Sequence, residues 1–361
     1  MHDNIDLGVL AKKALQEAMR ERGRVNVLIA GRTGVGKSTL INAVFQGQLA
    51  TTGQGKPVTQ NTREITKGDI PLSIFDTRGL EMADFAATME SLRTLVAERA
   101  KEADARQHIH IGWVCLSEDL RRVERAEEEL TKMLAEYMPV IAIVTKARAD
   151  QNFRATVQEL LPQARNVVRV RALAEELDDG HTLPQMGLQE LIDLTMELVP
   201  EGQRRAFTAA QKVDIALKKK QSRLIVTGAA SSAALIGAVP IPFADSALIV
   251  PIQIGMLAGI TATFGLSFDE GFLASLVGSV ITGTGATMAG RAIVGGLLKF
   301  IPGVGTVMGG VISATTAAAI TTAFGEACIA SLELLFKRNG GEPPAVAEVL
   351  EMFRKQYAQK A

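Results

Sequence analysis

The sequence predicts an α/β domain with a mostly parallel sheet, followed by an all-α, strongly apolar domain of helical hairpins. Three observations predict it. Apolar strand-like runs alternate with helical patterns from residue 25 to about residue 168, as expected for parallel strands covered by helices. The octet Gly31-Arg32-Thr33-Gly34-Val35-Gly36-Lys37-Ser38 fits GxxxxGK[ST] and follows the apolar run Val25–Ala30, the strand-to-helix setting of a phosphate-binding loop. Residues 224–336 carry only Asp245, Asp269, Glu270, Arg291, Lys299, Glu326 and Glu333 as charges, so that half of the chain solves a different solvent problem.

Taken in order, residues 1–24 read as an amphipathic helix, with Leu7, Leu10, Ala14, Leu15 and Met19 near one face. Residues 25–200 form the α/β domain. Its further strands are expected at residues 72–75, 109–116, 140–144 and 166–170, and its amphipathic helices at 124–138 and 187–199. Residues 201–336 form the apolar helical domain, entered through the basic run Lys218-Lys219-Lys220-Gln221-Ser222-Arg223. Its uncharged stretches, 224–244, 246–268, 271–290 and 300–325, are each about long enough to cross a hydrocarbon core of roughly 30 Å. Pro-bearing breaks at 239–245 and 300–305 split it into two helical hairpins. Two GxxxG patterns, Gly255 with Gly259 and Gly305 with Gly309, permit close helix approach. Residues 337–361 form a C-terminal helical tail, and the cations at 218–223 and 337–338 put both ends of the apolar region in cytoplasm.

The octet is a nucleoside triphosphate site. Its glycines let backbone N–H groups curl around the β-phosphate, Lys37 neutralises the β/γ oxygens, and the Ser38 hydroxyl completes the shell of Mg²⁺. Thr39 opens the following helix, so Gly31, Thr33, Gly34, Val35, Gly36, Lys37, Ser38 and Thr39 are the expected phosphate contacts. Asp76-Thr77-Arg78-Gly79 ends the next strand, where Asp76 holds Mg²⁺ through water and the Gly79 amide meets the γ-phosphate. Between them lies a turn-rich loop, residues 53–63, in which Thr59, or failing that Thr62, closes over the metal. Lys37, Thr59 and Gly79 are thus the catalytic candidates, and Ser38, Thr59 and Asp76 the metal ligands.

With GRTGVGKS, PVTQNT, DTRG and VTK in that order, residues 25–200 resemble the septin-like and Era-like GTPases of the translation-factor class. The resemblance implies GTP and GDP as ligands, Thr145 and Lys146 packed under and beside the guanine base, and a backbone contact from Ala172 to the guanine carbonyl. The chain departs from the family where Arg148 replaces an acid two residues after Lys146, with Asp150 two positions on, which leaves open an altered register or tolerance for other bases, adenine included. Leu80 follows Gly79 where a water-orienting Gln would stand, so slow intrinsic hydrolysis is expected, with help from a second copy across the nucleotide face or from other loop groups. Residues 205–336, with Ala238-Val239-Pro240-Ile241-Pro242-Phe243-Ala244-Asp245 and Ile301-Pro302-Gly303-Val304-Gly305, resemble the YcjF-like family of bacterial membrane proteins, which implies attachment to membrane lipid at the inner membrane.

A net charge of zero over 361 residues argues against nucleic acid as a partner. Cys115 and Cys328 both lie in apolar runs and fit a reducing compartment, and the N-terminal residues lack the pattern of a cleaved secretory signal. The expected function is a cytoplasmic, membrane-associated GTPase that couples nucleotide state to the apolar domain. The alternative is a soluble regulator whose apolar domain is an oligomerisation or partner interface.

Overall fold

The computed structural model describes residues 7–49, 56–59, 62–66, 70–77, 85–237, 245–266, 272–273 and 314–360. The chain divides into two compact units. One is Gly23–Asp214; the other joins both ends of the chain, Met1–Arg22 with Ile215–Ala361.

The first unit is a seven-stranded sheet in the order β2-β3-β4-β1-β5-β6-β7. Strands β4 (Leu72–Thr77), β1 (Val25–Ala30), β5 (Ile111–Ser117), β6 (Val140–Thr145) and β7 (Asn166–Arg169) run parallel, as expected from the alternating apolar runs. Both faces are covered, which is why the strands read as continuous apolar runs. Val27 and Ile29 point to one face, against α2 (Lys37–Val44) and α6 (Leu188–Leu198). Leu28 and Ala30 point to the other, against α3 (Phe85–Lys101), α4 (Arg125–Ala135) and α5 (Phe153–Leu160). Period two along β1 therefore serves both cores.

Two parts of this unit differ from the sequence expectation. The described part of the turn-rich stretch pairs as strands: β2 (Lys56–Thr59) runs antiparallel to β3 (Thr62–Thr66), which runs antiparallel to β4. Thr62 sits opposite Thr77 and is 2% exposed, so the β-branched residues of this segment extend the sheet. The unit also runs past residue 200, through α7 (Glu201–Ala210) to Asp214. Phe207 explains this extension. Its ring meets Phe45 edge-on at 6.0 Å, Phe45 stacks on Trp113 at 5.6 Å, and Gln46 Nε2 donates to the Ala209 carbonyl at 3.1 Å.

The second unit is all helical where described. The N-terminal helix α1 (Leu7–Arg22) belongs to it, because Ala11 and Leu15 join a core with Ile254, Leu257, Phe324 and Phe336. Helices α8 (Ile215–Gly237) and α9 (Asp245–Phe264) pack antiparallel: Lys218, fully buried near the start of α8, donates to the carbonyl of Phe264 at the end of α9 at 3.3 Å. Helix α10 (Ala314–Arg338) runs antiparallel to α8, with Lys219 paired to Glu333 at 2.7 Å and Arg223 to Glu326 at 2.9 Å. Helix α11 (Val346–Lys360) closes on α10 through Phe353, edge-on to Phe324 at 5.2 Å. Gly259 faces the Ile225 side chain of α8, whereas a Cβ on Gly255 would meet open space, so one glycine of that GxxxG pair sits at a crossing. The Pro-bearing breaks, the second GxxxG pair and the stretch 274–313 lie outside the described residues. Among those described, one stretch, Ala317–Arg338, is long and apolar enough to cross a membrane by length and composition. It includes Glu326 and Glu333, unlike the uncharged stretch 300–325 expected from the sequence.

If α7 is part of the first core, Phe207→Ala destabilises that unit by about 3–5 kcal/mol in chemical denaturation. Unchanged stability would remove α7 from it.

Candidate nucleotide-binding site

The site lies at the carboxyl ends of the parallel strands, where open α/β sheets bind ligands. Gly31 follows β1 with a φ of 149°, and a Cβ there would stand 2.5 Å from the carbonyl oxygen of Cys115 on β5. No other residue fits so close to a neighbouring strand. Gly36, with a φ of 97°, turns the chain into α2, and no side chain caps that helix. The first N–H groups of α2 are thus left for an anion. Thr33, Gly34, Ser38 and Thr39 are exposed along this loop, and Val35 is buried beneath it. Lys37 Nζ lies back over the loop and donates to the carbonyls of Gly31 at 2.6 Å and Arg32 at 3.0 Å.

Asp76 sits near the end of β4, opposite Ile29 of β1, which places its carboxylate beside the strand end from which the phosphate loop departs. The Cys115 thiol senses this arrangement. Burial pushes it up to about 12, with the Lys37 ammonium opposing the rise and the Asp76 carboxylate adding to it. Cys115 is therefore an inert buried group. Ser38 and Asp76 together offer oxygen donors of the kind Mg²⁺ takes, so these residues fit the ion. Thr59 ends β2, and Arg78, Gly79 and Leu80 lie outside the described residues.

Thr145 joins the loop after β6 to the phosphate loop. Its Oγ1 is buried and shares its proton between the carbonyls of Val35 and Leu116, the latter at 2.9 Å. Lys146 follows with a φ of 54° and an exposed side chain whose Nζ is 3.6 Å from Asp119. The Ala172 carbonyl accepts from Gln185 Nε2 at 2.7 Å, and Arg171 Nε donates to the Ala147 carbonyl at 2.8 Å, so the loops after β6 and β7 are braced together.

Three residues that the sequence patterns did not single out organise the site. Glu118, 2% exposed, accepts from the backbone amides of Arg148 at 2.5 Å and Ala149 at 3.0 Å, and from Arg169 Nε at 2.7 Å. Arg169, at the end of β7, is the cation that neutralises it. A charged residue directly after the apolar β5 run was the available signal for Glu118. Glu124 caps α4 and accepts from Arg32 of the phosphate loop at 2.5 Å, which ties that half-buried guanidinium to the start of α4.

Removing the Glu118 carboxylate leaves two amides without their acceptor and the Arg169 guanidinium with the longer contact to Asp150. Glu118→Ala is expected to weaken nucleotide binding about ten-fold or more in titration with a fluorescent analogue. Unchanged affinity would show that the loop after β6 does not contribute to the bound state.

Residues 26–146 match the family described as 50S ribosome-binding GTPase, and residues 202–359 match a domain of unknown function, DUF697. Magnetosome membrane protein 22 of Magnetospirillum gryphiswaldense is 32% identical over 123 residues, 34% of this chain and 60% of that protein. The tRNA modification GTPase MnmE of Cupriavidus pinatubonensis is 32% identical over 149 residues, 39% of this chain and 30% of that protein. The chain thus spans less than two thirds of either relative. Among solved structures, a probable GTP-binding protein engB aligns with a TM-score of 0.34 and 17% identity over 48% of this chain and 98% of its own. The chain carries a P-loop GTPase domain, followed by a helical region that matches the domain of unknown function.

Proposed function

We propose that the protein is a membrane-associated GTP switch of the septin-like and Era-like kind that hydrolyses GTP slowly. The observation that carries the nucleotide part is the phosphate loop itself: Gly31 pressed against Cys115, an uncapped α2 N-terminus, and Lys37 over the loop. GTP and Mg²⁺ are the ligands, with Ser38 and Asp76 holding the ion and Thr59 joining them. Gly79 and Thr59 meet the γ-phosphate, Lys146 flanks the base and the Ala172 amide meets its carbonyl. When bound, the ion neutralises phosphate charge. This chain's residues bind and orient the triphosphate, and Leu80 supplies no group to orient water. Turnover is thus on the order of 10⁻³ s⁻¹ or below until a second copy across the nucleotide face contributes.

Support for the membrane part is the span Ala317–Arg338 and the likeness to a protein named for the magnetosome membrane. In this reading the GTPase unit faces cytoplasm at a bacterial inner membrane, and nucleotide state is passed to the helical unit for remodelling, tethering or a stress response. The chain's zero net charge favours lipid and protein over nucleic acid as partner.

A second reading, a soluble regulator that assembles through its helical unit, has its own support. Within the span, 61% of an 18-residue apolar window is buried in the folded chain, and Lys219, Arg223, Lys337 and Arg338 all pair with acids of the same unit. A detergent-independent oligomer in light scattering would favour it.

The nucleotide reading is checked by GTP binding and turnover of the full chain beside Lys37→Ala. The variant is expected to lose about a hundred-fold or more in affinity, because charge-assisted bonds to phosphate disappear. Equal binding by both proteins would end the assignment of the site.

A further inference from the structure

The loop after β6 carries two cations, Lys146 and Arg148, and four carboxylates stand around it, each already engaged. Glu118 holds the loop's own amides and Arg169. Asp150 accepts from the amide of Arg154 at 2.9 Å, at the start of α5, and lies 3.4 Å from Arg169 Nε. Glu175, on the first strand of the hairpin β8 (Glu175–Glu176) and β9 (Thr182–Leu183), receives Arg148 Nε at 2.9 Å and a terminal nitrogen of the same guanidinium. Asp119 faces Lys146 at 3.6 Å and the Ser117 hydroxyl at 3.5 Å.

These engagements bear on which base the site accepts. Guanine and hypoxanthine share the C6 carbonyl and the N1–H, and differ only in the 2-amino group of guanine. That group is a donor, so reading it takes an acceptor, and a site built around such an acceptor strongly rejects the analogue that lacks its partner. A guanidinium has donors only. The Glu175 carboxylate raises the Arg148 pKa further above its ordinary value, so Arg148 stays a cation. Releasing Glu118 or Asp150 to serve the base would strip backbone amides of their acceptors, and releasing Glu175 or Asp119 would take the counter-charge from Arg148 or Lys146.

We infer that the base site does not read the 2-amino group, so that guanosine and inosine triphosphates bind alike, and that Arg148 is the residue that sets this tolerance. The inference rests on the proposal that the first unit binds guanine nucleotide. Asp150 does not substitute by a shift of register, because its Oδ1 accepts from the Arg154 amide and pairs with Arg169, which ties the side chain to the start of α5.

The test is the dissociation constants of the full chain for GTP, ITP and ATP, each with Mg²⁺. GTP and ITP are expected within about three-fold of one another. Replacing Arg148→Asp together with Glu175→Ala, which removes the carboxylate paired with Arg148 and leaves Asp119 as the like charge near the new one, is expected to favour GTP over ITP by about ten-fold or more. A ten-fold or greater preference for GTP over ITP in the unmodified protein, with ATP excluded, overturns this inference and leaves the guanine reading standing. ATP binding as tightly as GTP, or no binding of any of the three, overturns the guanine reading and this inference with it. The ratio in the unmodified protein decides the matter even if the double variant fails to fold.

Discussion

Parallel pairing of β4, β1, β5, β6 and β7 is the constraint on which the rest of the first unit depends. Register brings the strand ends level: Ile29 lies opposite Asp76, Ala30 opposite Val114, and Ser117 opposite Thr145. Loops that leave those ends are therefore neighbours, although their residues are far apart in sequence. Gly31 passes against Cys115 because β1 and β5 are adjacent, and Thr145 reaches Val35 because β6 lies next beyond β5. Hydrogen bonds to buried carbonyls then fix what register has brought close, since an unpaired polar group at that depth is costly.

Much of this was legible in the residues. The strands of the parallel sheet declared themselves as apolar runs, and the phosphate loop by its glycines and Lys37, because backbone geometry demands those types. Other features were not legible, for reasons that are physical. Residues 201–210 read as polar and basic, yet one face of α7 buries Ala206, Phe207 and Ala210 beneath the sheet. A ten-residue helix whose buried positions include Gln203 and Thr208 gives little apolar periodic signal. Thr62 lies among turn-forming residues, and its strand exists because β4 offers a free edge to pair with. Glu118 needed three-dimensional information, since its partners Arg148, Ala149 and Arg169 come from two other strand ends.

The helical unit shows a similar limit. Charge counting treats Lys218, Lys219 and Arg223 as a basic flank, but packing gives each a local partner. Lys218 caps the end of α9, Lys219 and Lys337 share Glu333, and Arg223 pairs with Glu326. Surface pairs of this kind contribute little stability each, but they fix which helices face one another. Burial of aromatic rings does more, with Phe264 on Phe336 at 5.3 Å and Phe324 on Phe353 holding α9, α10 and α11 together. Among the described residues of this unit, Gly325 marks the tightest crossing, where a Cβ would stand 2.5 Å from the Val226 side chain. The unit thus combines an ordinary packed core with long apolar helices, and lipid and a protein partner make different demands on that combination.

Flotation of the full chain with liposomes, in GTP-analogue, GDP and nucleotide-free states, addresses the central claim that nucleotide state governs membrane association. The account predicts that the floated fraction changes with nucleotide and that Lys37→Ala abolishes the change. A monodisperse protein that stays at the bottom of the gradient in all three states would contradict it.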